Sequence, residues 1–183
     1  MICLNEMFLI FFLPVILLIS ALIDLRCQKI PNIITFPAMI AAVSFHTVMN
    51  GLDGFFFSTG GLLTGIGVFI LPFLLGGMGA GDAKLMGAAG AVLGPKGAFI
   101  AFLFTAIAGG IYALLLILIH HNAFHGFFKS LWSSVINFIL TRKFISSPNI
   151  QKKNRPRLCY GVAIAVGTLT YVVLDFSGFQ FVI

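Results

Sequence analysis

A chain of 183 residues that is 60% hydrophobic and only 9% charged, with a mean hydropathy of +1.10, is too apolar to dissolve as a globular domain. Its net charge of +6 is the one global feature that would suit nucleic acid, but the positions of the basic residues give that charge another origin. The composition implies an all-α membrane protein, a polytopic bundle of about six transmembrane helices that forms one domain over residues 1–183.

The first span covers residues 8–23. No Lys or Arg precedes it, whereas Arg26 and Lys29 follow it, which is the pattern of a retained helix with its amino end outside. Asp24 stands where hydrocarbon gives way to headgroups. After a polar loop, Pro31 opens the second span, 33–49, because its fixed φ suits the first helical position and its missing N–H has no intrahelical partner there. Asn50, Gly51, Asp53 and Gly54 make a turn. The third span is 55–75, where Gly60, Gly61, Gly65 and Gly67 give a face for close approach of another helix. Gly76, Gly77, Gly79 and Gly81 crowd the next six residues, too many for a helix interior, so this stretch is a loop or an unwound segment. The fourth span, 82–93, is short, about 18 Å against a hydrocarbon core of roughly 30 Å. Its Ala83, Gly87, Ala88, Ala89, Gly90 and Ala91 suit a helix buried among others. The fifth span is 98–119 and the last 160–174.

Between these two lies the basic loop 120–157. Phe127, Phe128, Leu131, Trp132, Val135, Ile136 and Ile139 are spaced as in a helix lying in the membrane interface, or else belong to a loop that touches lipid. An outside start places this loop and the turns near 24–32 and 76–84 in the cytoplasm. Arg26, Lys29, Lys84, Lys129, Arg142, Lys143, Lys152, Lys153, Arg155 and Arg157 then fall inside and only Lys96 outside, as the positive-inside bias requires. The basic residues are thus topology signals that also favour anionic lipid headgroups, and nucleic acid is not an expected partner.

The same layout puts Glu6, Asp53 and Asp175 outside, leaving Asp24 and Asp82 as the acidic residues of the cytoplasmic side, each at a membrane boundary. Two carboxylates brought together there come to share a proton, one acting as base on a water that attacks a peptide carbonyl and the other as acid. Glycines before Asp82 would let a substrate backbone approach closely. The alternative is that each Asp caps a helix end. Spacing alone leaves the two readings level.

Gly79-Ala80-Gly81-Asp82 is the GxGD motif of intramembrane aspartic proteases, and with Asp24 followed by Lys29-Ile30-Pro31-Asn32 the chain resembles the type IV prepilin peptidases, most of all their short TadV/CpaA-like branch. A third stretch, Cys159-Tyr160-Gly161-Val162-Ala163-Ile164-Ala165-Val166-Gly167, looks like the family's PYGVAIAxG opening of the last helix, with Cys159 in place of the proline. The resemblance implies an aspartic-type endopeptidase of the bacterial cytoplasmic membrane. It would cut the short basic leader from type IV prepilins or pseudopilins at the cytoplasmic face, serving pilus assembly and protein secretion. By the same resemblance Asp24 and Asp82 are catalytic, and Gly79, Gly81, Lys84, Pro31 and Asn32 support the substrate loop and motifs. Larger members also N-methylate the new amino terminus and carry an added amino-terminal region with a cysteine tetrad. Neither that length nor those cysteines occur here, which implies a peptidase without methyltransferase activity.

The remaining polar residues take simpler readings. Lys84 is a snorkelling anchor, although the family often has a basic residue there, and Arg26 and Lys29 set topology. His46 is an interhelical hydrogen-bonder. His120, His121 and His125 have no carboxylate beside them, so no metal site is assigned, and Cys3, Cys27 and Cys159 lie too far apart for a zinc or disulfide framework. No cofactor is expected. The competing reading from another class is a channel or transporter subunit whose two acids carry protons or an ion, which requires acids near the midplane and two related halves. No internal repeat is present, and both acids sit at one boundary. A peptidase-like protein that has lost activity is a third reading, to which only Cys159 points.

Overall fold

The computed structural model describes residues 2–27, 29–74, 78–119 and 160–177, with residues 2–10, 71 and 116–119 described by backbone alone. The regular elements among them are all helices. Helix α1 is Ile2–Cys27. The helical stretch Asn32–Leu74 breaks at Gly51 (φ 62°, ψ −137°) into α2, 32–50, and α3, 52–74. The stretch Ala80–Ile119 breaks at Gly94 (φ 75°, ψ 178°) into α4, 80–93, and α5, 95–119. Helix α6 is Tyr160–Phe176.

Both breaks are reversals of the chain. The rings of His46 and Phe57 have centroids 5.2 Å apart, whereas residues at that separation on an unbroken helix lie about 16 Å apart. Likewise a Cβ built on Gly90 would stand 3.1 Å from that of Ala98, across a separation worth about 12 Å of helix. A positive φ costs an L residue about 1–2 kcal/mol and a glycine almost nothing, which is why single glycines make these turns.

The second reversal leaves carbonyls that the membrane would not forgive. Ala91 would normally bond the N–H of residue 95, which is Pro95 and has none. Instead Ser58 Oγ donates to the Ala91 carbonyl at 2.7 Å, and His46 Nε2 bonds the Val92 carbonyl at 3.2 Å, which places the proton of the imidazole on Nε2. The last carbonyls of α4 are thereby satisfied from α2 and α3, as backbone groups away from water must be.

The outer surface is apolar, and so is most of the core, in which several small polar side chains are also buried. Ile33 and Val48 are 81% and 83% exposed, while Ser20, Thr35, Ser58, Thr105 and Thr168 are buried. Such an apolar exterior fits lipid, which repels no leucine and leaves close packing to hold helices together. Asn32–Leu74 and Ala80–Leu115 are each long and apolar enough to cross a membrane. The close packing is made by glycine. A Cβ on Gly61 or Gly65 of α3 would strike the main chain of Gly90 or Met86 on α4, and one on Gly167 of α6 would strike the main chain of Thr105 on α5. The glycine face of α3 is narrower than its sequence suggests, since Gly67 faces open space. The α2–α3 and α4–α5 hairpins pack extensively on each other, α6 packs on the second hairpin, and α1 packs mainly on α6.

The helices also run further than the apolar runs. Helix α1 continues to Cys27, so Asp24 lies in its last turn and not beyond it, because backbone hydrogen bonding does not stop where hydrocarbon does. The turn expected at 50–54 contracts to Gly51. Pro31 precedes α2 without opening it: its carbonyl accepts from the Ile34 N–H at 3.2 Å, which gives Pro31 the capping position and Asn32 the first helical one. Helix α4 begins at Ala80 and α5 at Pro95, and α6 continues to Phe176. The interfacial helix expected within 120–157, the His120, His121 and His125 group, and Cys159 lie outside the described residues.

Candidate active site

Helix α4 starts because a carboxylate three residues in closes its first turn. Gly79 N–H donates to Asp82 Oδ2 at 3.0 Å while Asp82 N–H donates to the Gly79 carbonyl at 3.1 Å, a reciprocal capping arrangement with the acid inside the first turn. Among the described residues of the glycine stretch, Met78 and Gly79 precede the helix, and Ala80 and Gly81 belong to it. Asp82 is 8% exposed.

Asp24, 5% exposed, reaches from the last turn of α1 to the first turn of α6. Its Oδ2 accepts the Gly161 N–H at 2.8 Å. The approach is possible only because residue 161 lacks a side chain: a Cβ there would lie 2.8 Å from Asp24 Oδ2 and 2.9 Å from Asp24 Cβ. Each aspartate therefore caps a helix start, Asp82 its own and Asp24 that of another helix.

The two are also brought together. The charge of Asp24 acts on Asp82, and that of Asp82 acts on Tyr160, the neighbour of Gly161. The GxGD stretch, the end of α1 and the start of α6 thus meet at one place. Residues after α1 complete it. Gly81 lies against Ile30, so that a Cβ at 81 would come within 3.1 Å of Ile30 Cβ and 3.3 Å of its carbonyl oxygen. The space beside Asp82 that sequence reasoning reserved for a substrate backbone is, at Gly81, filled by the chain's own Ile30. Lys84 is more than a snorkelling anchor: its Nζ donates to Asn32 Oδ1 at 2.9 Å and stands 5.0 Å from the centroid of the Phe36 ring. Lys84 and Asn32 so tie the start of α4 to the start of α2. Arg26 and Lys29 are exposed.

Chemically, the site offers two carboxylates, each accepting from a backbone N–H and withdrawn from bulk solvent. Such a pair can divide acid and base roles. Among the described residues no three His, Cys, Asp or Glu side chains form a group that could hold a metal ion. Sequence reasoning did not place Gly161, Tyr160 or Ile30 at the site, although the stretch 159–167 was a signal for the first two.

The model of a family described as the type IV leader peptidase family matches residues 11–114 of the chain. No curated protein and no solved structure matches the chain.

Proposed function

The chain belongs to the type IV leader peptidase family, and from that membership we propose that it is a membrane-embedded aspartic endopeptidase with Asp24 and Asp82 as its catalytic pair. Its substrates are prepilins or pseudopilins, whose short basic leader it removes at the cytoplasmic face of the bacterial inner membrane. One carboxylate takes a proton from a water as that water attacks the scissile carbonyl. The other, protonated, donates to the developing oxyanion; as the C–N bond of the resulting diol breaks, the carboxyl that took the water proton passes it to the leaving amine and the other carboxylate recovers a proton from a diol hydroxyl, so the pair returns to one shared proton at the end of the cycle.

The observation that carries this reading is the burial of both Asp24 and Asp82, with Asp82 within range of the Asp24 charge. A capping role accounts for the Gly79 and Gly161 bonds. It gives no reason for two acids from different helices to be placed together out of water, where like charges are costly. Gly79, Gly81 and Ile30, with the Lys84–Asn32 bond, hold the Asp82 turn beside the end of α1.

The same proposal extends to topology. Six helices with the amino end outside put both aspartates and the basic loop 120–157 in the cytoplasm, and the lengths of α2 and α3, about 28 and 34 Å at ~1.5 Å per residue, suit a roughly 30 Å core. We further propose leader removal without N-methylation, on the resemblance of residues 1–183 to the short branch of the family. Membranes containing the protein, incubated with a prepilin encoded beside its gene, should release the leader and give a faster-migrating product with an unmethylated amino terminus. A prepilin left at full length by active membrane preparations contradicts the proposal.

A further inference from the structure

The family match ends at residue 114, so it assigns nothing to α6, yet the start of α6 meets both acids: Gly161 bonds Asp24, and Tyr160 lies within range of the Asp82 charge. Helix α1 has its main neighbour in α6, and α6 rests on the second hairpin through Gly167 against the Thr105 main chain. Asp24 is therefore located relative to Asp82 by way of α6 as well as through the Ile30–Gly81 contact. At the contact itself, residue 161 meets Asp24 with its backbone, the N–H 2.8 Å from Oδ2, and leaves no room for a Cβ.

We propose that Gly161 is a positioning residue for the peptidase reaction: its N–H and its missing side chain fix the Asp24 carboxylate in the orientation in which it works with Asp82. The proposal rests on the reading of Asp24 as catalytic. A helix whose start is locked by packing further along gives a donor that does not follow the carboxylate, which is what preorganisation of a reacting group needs. Displacing a reacting group by about 1 Å can cost roughly 100-fold in rate without weakening substrate binding.

The test uses the full chain in membranes and a purified prepilin that the unaltered protein cleaves. Asp24→Asn is the control for the underlying reading: full cleavage by that variant ends the reading of Asp24 as catalytic, separately from any result at Gly161. Gly110→Ala, on α5 with nothing within 4 Å of the added Cβ, is the control for adding a methyl group. Gly161→Ala should lower kcat about 10-fold or more, with KM within about twofold, and should displace the pH–rate profile. Loss of folded protein alone would lower the rate and leave that profile in place. A kcat within twofold of Gly110→Ala, or a lowered kcat with an unmoved profile, overturns the proposal. A second measurement needs no change at 161. In detergent-solubilised protein labelled with 15N-glycine, the Gly161 amide should shift with pH in the unaltered chain and stop shifting in Asp24→Asn. An amide that ignores pH in the unaltered chain overturns the proposal even if Gly161→Ala fails to accumulate.

Discussion

Among single residues, buried polar atoms do most of the specifying. Ser58 is fully buried and donates to a carbonyl that Pro95 leaves without its usual partner. Ser58→Ala should therefore cost about 1 kcal/mol in an SDS unfolding titration in micelles, in the range found for hydrogen bonds between membrane helices, with the cleavage rate unchanged. Gly81 makes a different demand. Gly81→Val would push the Asp82 turn away from Ile30 but would leave the glycine contacts of α3 with α4 intact. It should lower cleavage more than it lowers the amount of protein in the membrane, and equal losses would assign Gly81 to folding instead. Asp24 and Asp82 were legible in the sequence because a chain with only five acidic residues exposes any that fall at a membrane boundary. That Gly161 donates to Asp24 was not, although the motif at 159–167 marked the residue itself. A hydrogen bond across 137 positions leaves no periodicity or spacing to read, and Ile30 beside Gly81 is an apolar residue like any other until the loops are folded.

Among the helices, the apolar runs were legible and their ends were not. Hydropathy reports where lipid contact stops, whereas a helix stops where its backbone bonds find other partners: at Gly79 and Asp82 for α4, at Pro31 for α2, and at Ser58 and His46 for the far end of α4. The two reversals separate conformational cost from packing cost. Gly51 has φ 62° with open space where a Cβ would be added, whereas at Gly94, φ 75°, the Cβ would strike the Phe57 ring. Gly51→Ala should cost only the backbone strain, about 1–2 kcal/mol. Gly94→Ala should cost more, because the ring must also leave the α4–α5 turn. The comparison is made by unfolding both variants in the same micelles, and equal losses would show that Phe57 yields freely.

Across the molecule, three stretches far apart in the chain converge on one end of a helical bundle, and the proposed topology places that end in the cytoplasm. A cysteine introduced at Asn149 should react with a reagent that cannot cross membranes only from the cytoplasmic side. Labelling from outside would invert the layout. That Asp24 and Asp82 work as one unit is decided by cleavage rates for Asp24→Asn, Asp82→Asn and the double variant. Two independent caps would lose about 1 kcal/mol of stability each, with losses that roughly add and cleavage that persists. Asparagine keeps nearly the same shape and removes the acid or base, so each single variant of a catalytic pair should reach the membrane at normal levels and fail to cleave, and the double variant should be no worse. Full cleavage by either single variant would show that the two carboxylates are not the catalytic pair.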